Sequence, residues 1–575
     1  MKPIVTIFTF LFFFVQMQAA TFYVDNINGN DNNDGLSWES ALKNISGALF
    51  KAKSSPYDTS IDDIFVKGGN YNTSSKLIIE FDNLYGGFEG IESNPSQRPL
   101  EDKDGNGIVE LWEFKFPSKI SSTFDASASS AFQISNSTNT FTTTFNGFSI
   151  TQIGTVGPND NSKNYKIVQL LSAHAIMENT TIHNCHVNFP QLTSSTVNGV
   201  VVDMVGGTVK SCLFEKNYVT VGLINGSTVN IGPVFQMLKG VVDRCVFRNN
   251  KVNFAAVGPA ASAGASYTIQ GALISLRTSV AGTNATMNNC LIYNNEASYS
   301  NNAANITGNQ WNTVATNGAL IKMGYTGTPV AADSIVGCVI ANNKITNLGG
   351  STLYANSHAS KSTNVINTVF WNNKNEIGDK NLFTLSTFAT GANNIGWVVN
   401  NAYTSGGPAN TENGWIGNNL ADLNLLNADS KGPNFKAPTT FTGVNRTAES
   451  PDSIAIAHAN WQLVQGSYLI GKGFNISGRQ KYFTGNSFSS ARSIGAYEFD
   501  GLSAIISQKA DIKIVSQINA KLISEVNGEF SIFLTTGIIL KNKMITKGEE
   551  ISLPKGIYIL KAKTEQGNII QKIII

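Results

Sequence analysis

The sequence predicts an all-β chain in which a long β-solenoid precedes a small β-sandwich. Two observations carry this: a nine-residue segment that recurs six times at unequal spacing, and a change near residue 505 to alternating apolar and polar strands with lysines. Composition agrees. Only 14% of the 575 residues are charged, while 52 Gly and 33 Phe stand among many Asn, Ser and Thr residues, a mixture better suited to strands than helices. Lys plus Arg (41) nearly balance Asp plus Glu (39), for a net charge of +2. That balance gives no sign of a nucleic-acid or membrane-surface binder.

The chain opens on "MKPIVTIFTFLFFFVQMQAA", with Lys2, an apolar run from Pro3 to Val15 and small residues at Ala19 and Ala20. Residues 1–20 are expected to be a secretory signal peptide cleaved near Ala20. No later apolar run approaches the roughly 18 residues of a membrane span. An exported protein without a transmembrane helix is therefore expected, extracellular or at the outer-membrane surface.

Six segments align without gaps: "MENTTIHNC" from Met177, "VKSCLFEKN" from Val209, "VDRCVFRNN" from Val242, "MNNCLIYNN" from Met287, "IVGCVIANN" from Ile335 and "VINTVFWNN" from Val365. "FNGFSITQ" from Phe145 is a looser, earlier copy. Each reads as a short strand closed by an Asn turn. The spacings of 32, 33, 45, 48 and 30 residues argue against a propeller and fit a solenoid whose coils carry different loops.

Stacking explains the residue types. Equivalent positions in successive coils lie about 4.8 Å apart, so like side chains form ladders. Cys212, Cys245, Cys290 and Cys338 are expected to line the interior between Thr180 and Thr368 as small apolar groups, not as disulfides, because stacked side chains point the same way. Cys185 is expected off this ladder, at a turn. The Asn pairs suit a left-handed turn residue and amides bonded along the stack. The outward residues Leu213, Val246, Leu291, Val339 and Val369 are apolar, so they need a cover, such as the segment Ala255 to Gly271, or they form an apolar binding stripe.

The opening "FYVDNINGNDNNDGLSWESALKNISGAL" resembles that of right-handed parallel β-helix proteins of the pectin-lyase-like superfamily, especially exported proteins of Bacteroidetes. "IFVKGGNYN" and "LYGGFEGIES" resemble the family's first coils, "SYLIGKG" and "SIGAYEF" its closing segments. The resemblance implies a right-handed parallel β-helix over residues 21–500. It also implies a cap helix, which the helical spacing of Trp38, Ala41, Leu42, Ile45, Ala48 and Leu49 supports independently. "GIYIL" and the terminal Lys-containing β-branched strand resemble a type IX secretion C-terminal sorting domain, implying a sorting β-sandwich over 505–575 with the secretion machinery as partner.

"DKDGNGIVELWE", residues 102–113, matches a calcium loop inserted among the early coils. Asp102, Asp104 and Asn106 take its first three oxygen positions, Gly107 the tight turn, Ile108 a carbonyl position, and Glu110 and Glu113 the last two. Pro95, Pro99 and Pro117 bar the two helices of an EF-hand, and the alternation of Trp112, Phe114 and Phe116 favours a strand after the loop. A structural Ca²⁺ is expected; the plain alternative is a solvated Asp/Asn/Gly turn.

Uronate lyases on this fold need carboxylates holding Ca²⁺ near a basic Lys or Arg. The rungs show only isolated charges: Asp203, Glu215, Arg248, Glu296 and Lys344. His183 and His186 would point to opposite faces of one strand, making poor joint ligands, and turns account for Asp25, Asp31 and Asp34. Tyr293 and Trp371 share an outward position where a sugar would stack, the alternative being a covered aromatic. Catalytic residues cannot be assigned from the sequence. The expectation is a monomeric surface protein that binds a glycan or serves an adhesive or structural role. The alternative is a Ca²⁺-assisted lyase or hydrolase acting on acidic polysaccharide.

Overall fold

The chain is described by a computed structural model over residues 19–54, 61–122, 130–135, 141–152, 165–192, 199–223, 228–230, 232–256, 268–277, 284–301, 320–324, 333–346, 353–356, 364–375, 383–386, 398–399, 402–403, 416–417, 419–420, 422–444, 451–476, 481–488, 492–499, 515–518, 521–524, 527–534, 539–553, 557–564 and 567–574. Most of the expected signal peptide, residues 1–18, lies outside them. Two compact units emerge: Met1–Leu463 with Ser467–Glu498, and Val464–Gly466 with Phe499–Ile575. Among the described residues no helix is long and apolar enough to cross a membrane.

The first unit is a parallel β-helix. One coil runs through Lys166–Leu170, Ala175–Glu178, Thr181–His183 and His186–Leu192, and each of these strands belongs to a different sheet. In that order the sheets have nine, twelve, ten and six strands among the described residues. Successive coils pair in parallel: Val168 with Val202, Met177 with Val209, Ile182 with Phe214 and Val187 with Val219. The sequence repeat is the corner joining the second sheet to the third.

Each corner has a left-handed residue. Before the Cys/Thr position these are Asn179, Ser211, Arg244, Asn289, Gly337 and Asn367; after the third-sheet strand they are Asn184, Lys216, Asn249, Asn294, Asn342 and Asn372. Asn tolerates this conformation because its short amide can bond locally. The second Asn of each pair turns inward. Asn217 Nδ2 donates to Asn250 Oδ1 at 3.0 Å, Asn250 to Asn295 at 2.9 Å, Asn295 to Asn343 at 3.0 Å and Asn343 to Asn373 at 2.8 Å. Each of these amides also reaches a carbonyl of the preceding coil, as Asn250 does at Phe214. Cys185 stands at the foot of this ladder, its N–H 3.2 Å from Asn217 Oδ1.

All five cysteines are free and buried. Cys212 Sγ donates to the Lys210 carbonyl at 3.3 Å and Cys290 Sγ to that of Asn288 at 3.1 Å. Thr180 Oγ1 and Thr368 Oγ1 make the same bond to Glu178 at 3.0 Å and Ile366 at 3.1 Å. Cys and Thr interchange in the repeat because the site takes one small side chain that can donate to a carbonyl two residues back. Burial pushes the Cys212 and Cys290 thiols up, which leaves them unreactive. Beside them, Phe214 and Phe247 stack with ring centroids 4.6 Å apart.

The N-terminal helix, α1 (Ile45–Ala52), buries Ile45, Ala48, Leu49 and Ala52 against the same core. It is shorter than the spacing from Trp38 suggested. Leu42 instead exchanges backbone bonds with Tyr23 and Asp25, at 2.8 and 2.9 Å, so the chain there is extended and helix formation waits for Asn44.

The outward apolar row is covered, and the cover comes from late in the chain. Residues 422–444, 451–463, 467–476, 481–488 and 492–498, including α2 (Pro451–Ala457), supply the cover over Leu213, Val246, Leu291, Val339 and Val369, all buried. The corner asparagines fasten this cover: Asn294 Nδ2 donates to Phe441 O at 3.0 Å, Asn342 Nδ2 to Thr439 O at 2.7 Å and Asn367 Nδ2 to Phe474 O at 2.8 Å. Gly495 comes so close that a Cβ there would stand 3.2 Å from Val369 Cγ2. Of the segment expected to form the cover, Ala255 and Ala256 instead end the fourth-sheet strand Lys251–Ala256, Thr268–Gln270 pairs with Thr228–Asn230, and residues 257–267 lie outside the described residues.

The second unit consists of antiparallel strands. Three of them (Val515–Ile518, Lys521–Ser524, Glu550–Ile551) form one sheet, and Ile539–Ile545, Gly528–Leu534, Ile557–Thr564 and Gly567–Ile574 form another. Phe530, Ile532, Leu560 and Ala562 are buried within it.

Candidate functional site

On the outer face of the third sheet, register places Asn70, Lys119, Ser149, Thr181, Leu213, Val246, Leu291, Val339 and Val369 in one column. The column changes from polar to apolar at Leu213. Beyond Leu213 the cover lies on it; before Leu213 the face is open, with Lys119 exposed and Ser149 and Thr181 half-buried. A cleft of about 370 Å³ occupies this boundary. Its floor is Lys119, Ser149, Thr181, Leu213 and Glu215; its walls are the 102–113 loop and α2, which bring Asp104, Trp112, Glu113, Ile454 and His458.

The loop closes without helices. Leu100 and Phe114 form an isolated antiparallel bridge, and Lys115 N–H donates to Pro99 O at 2.9 Å. The strand expected across Trp112–Phe116 is absent; the next strand is Ser118–Ser122. Asp102 Oδ1 and Oδ2 accept the N–H groups of Gly105 at 2.7 Å and Gly107 at 3.0 Å, and Glu113 Oε1 accepts those of Lys103 at 3.0 Å and Asp104 at 3.1 Å. Carboxylate oxygens of Asp102, Asp104 and Glu113 all lie within 4.8 Å of one another. This is a hard-oxygen donor set that fits a calcium ion. Among the carboxylates of the loop, Glu110 is not part of that group. Asn106 Oδ1 accepts the Ile108 N–H at 2.7 Å, and Asn106 Nδ2 donates to Glu110 Oε1 at 2.9 Å. Glu110 is pushed up to about 9 by burial and by its neighbour Glu113, so it stands as a neutral acid at pH 7.

Arg248 ties the loop to the coils. Its Nε lies 2.9 Å from Glu215 Oε2 and its Nη1 2.8 Å from Asp104 Oδ2; Nη1 also donates to the Ala457 carbonyl at 3.0 Å. Burial pushes the Glu215 carboxyl up, but Arg248, Lys216 and His183 together outweigh it and hold the group below its usual range.

No protein-family model matches the sequence, and no curated protein matches it. Among solved structures, the pectate lyase Pel9A matches over 84% of this chain and 97% of its own, with 15% identity and a TM-score of 0.38. So loose a likeness says nothing about chemistry; the parallel β-helix is read from the sheets themselves.

Tyr293 and Trp371 lie beneath the cover, 2% and 4% exposed. Tyr293 packs on Trp461 with centroids 5.0 Å apart and donates to the Ile456 carbonyl at 3.2 Å. Trp371 Nε1 donates to Asn424 O at 3.0 Å. Neither ring offers a face to a sugar, because both anchor the cover. His183 and His186 lie in different sheets, with a corner rather than one strand between them. Asp25 pairs with Lys67 at 2.9 Å, while Asp31 and Asp34 accept local backbone N–H groups. Sequence reasoning missed Lys119, Ser149, Thr181 and His458. The signal was the outward position of the earliest copies, Ser149 in "FNGFSITQ" and Thr181 in the next, where the column turns polar.

Proposed function

We propose that this chain is an exported, surface-held β-helix that binds acidic polysaccharide in the cleft on its third sheet, with the 102–113 loop held by Ca²⁺ as one wall. The carrying observation is the change of the outward column at Leu213, which leaves Lys119, Ser149 and Thr181 open beside Lys103, Lys216 and His458. Cations along a groove attract a polyanion and speed its arrival. Asp102, Asp104 and Glu113 are the residues that would hold the ion, which would offset their charge and stiffen the wall. Export through the N-terminal signal and sorting by the C-terminal unit complete this reading; the first rests on the N-terminal residues and the second on the sequence resemblance. Retention of a chain ended at Asp500 in the periplasm would support the sorting role, and normal surface export would remove it.

A second reading has a specific observation behind it: the carboxylates of Asp104 and Glu113 line the same cleft as Lys119 and Lys216. Carboxylates for Ca²⁺ beside a basic side chain are what a uronate lyase needs. Incubating the purified protein with a polysaccharide panel, with Ca²⁺ or chelator, separates the two. Binding without products supports the first. Unsaturated uronate absorbance or new reducing ends would replace it with the second.

A further inference from the structure

Ser149, on the floor of the cleft, meets His183 beside it on the same outer face. Ser149 lies in Phe148–Gln152, and Thr181 of the next coil is its register partner. His183, two residues on, therefore leans back over it, with Nε2 2.7 Å from Ser149 Oγ. His183 Nδ1 lies 2.9 Å from the side-chain amide of Asn184, which the left-handed corner, φ 52°, sets beside the ring. Glu215 is the register partner of His183 on the following coil. Lys119 is that of Ser149 on the preceding one, about 4.8 Å along the stack. On later coils the corresponding positions lie under the cover; here they face open space.

The geometry points to a nucleophile and its base: we propose that Ser149 and His183 hydrolyse O-acyl esters, such as acetyl groups carried on a polysaccharide. The polysaccharide part rests on the binding reading above; ester hydrolysis itself does not. The required parts are present: a serine within hydrogen-bond reach of an imidazole, a group holding the far ring nitrogen, and a lysine at the register position beside the serine. Burial holds His183 below its usual range, opposed by Glu215 and reinforced by Lys216 and Lys119, so the ring is neutral at pH 7, as a base must be. Asn184 Nδ2 facing Nδ1 puts the ring proton on Nε2. Half a turn of the amide brings its oxygen to the same place, moves that proton to Nδ1 and frees Nε2 to accept the serine proton.

In the first step Ser149 Oγ attacks the acyl carbon while its proton passes to His183 Nε2. Lys119 faces the developing oxyanion and Glu215 the imidazolium. The ester C–O bond then breaks, and the sugar hydroxyl leaves with the proton from Nε2. Water attacks the acyl-serine, giving its proton to His183; the carboxylic acid departs and Ser149 recovers its proton. The sum is ester plus water to alcohol plus acid. Asn184 is a positioning residue, acting only through the ring.

The full chain should be treated with a fluorophosphonate probe and, separately, with p-nitrophenyl acetate and an O-acetylated polysaccharide. The expected result is a probe adduct on Ser149 in the peptide mass spectrum. Ester hydrolysis should fall at least about 100-fold in S149A and in H183Q at unchanged melting temperature. N184A should lower kcat without raising KM, and N184D should restore it with the acid limb of the pH profile moved upward. Absence of the adduct, or hydrolysis in S149A equal to wild type, overturns the proposal even where glycan binding persists. Turnover of p-nitrophenyl acetate through Ser149, with no acetate released from any polysaccharide and no glycan bound, would keep the ester pair and defeat the glycan reading.

Discussion

Arg248 Nη1 lies 2.8 Å from Asp104 Oδ2, although 144 residues separate the two in sequence. This contact fastens the inserted loop to the third sheet, and Arg248 is only 4% exposed. Replacing it with Met leaves Asp104 and Glu215 near one another without their cation. Breaking a buried pair from one side costs about 3–5 kcal/mol. R248M should lose stability on that scale in urea denaturation and be cleaved within residues 102–113 by limited proteolysis. A variant with wild-type stability and an uncut loop would show that the pair holds nothing.

Calcium should stabilise the protein through Asp102, Asp104 and Glu113. A ligand that binds only the native state at a hundred times its Kd adds about 2.7 kcal/mol. The melting temperature should rise with Ca²⁺, fall with chelator, and respond to neither in E113Q. A melting temperature indifferent to chelation in the wild-type protein would reduce the loop to a hydrogen-bonded turn.

Asp82 gives a pH dependence with a definite sign. It is 2% exposed and pushed up to about 7 by burial and by the nearby Asp62 carboxylate. A carboxyl whose folded pKa exceeds its unfolded value contributes stability that is full below the unfolded pKa and lost as pH rises through the folded one. Between pH 4 and 8 the wild-type chain should therefore lose about 4 kcal/mol through this group. D82N, neutral throughout, should lie close to wild type at pH 4 and be the more stable at pH 8. A constant difference across that range would contradict the assignment.

The coils were legible in the sequence because stacking demands the same chemistry at the same place. Asn250, Asn295 and Asn343 must each bond the next amide, and Cys212 and Thr180 must each bond the carbonyl two residues back, so these positions repeat in one dimension. The cover was not legible. Its contacts reach across the chain, from Asn342 to Thr439 and from Arg248 to Ala457, which is 209 residues away. Residues 422–498 carry no period that could announce them. That gap explains the reading of Tyr293 and Trp371 as sugar platforms: outward on a bare strand, they are interior once α2 and Trp461 lie over them. The calcium pattern was legible as a loop. Which of its carboxylates converge was not: Asp102, Asp104 and Glu113 come together, while Glu110 instead bonds Asn106.

The most direct test of the acidic-glycan cleft is equilibrium binding, in Ca²⁺ and at low salt, of a polyuronate and a neutral glucan to wild type and to K119E/K216E. Wild type should prefer the polyuronate, and the double variant should bind it at least about tenfold more weakly, since reversing two charges changes both attraction and encounter. Equal affinity of the two proteins for the polyuronate, or a wild-type preference for the neutral glucan, would contradict the account.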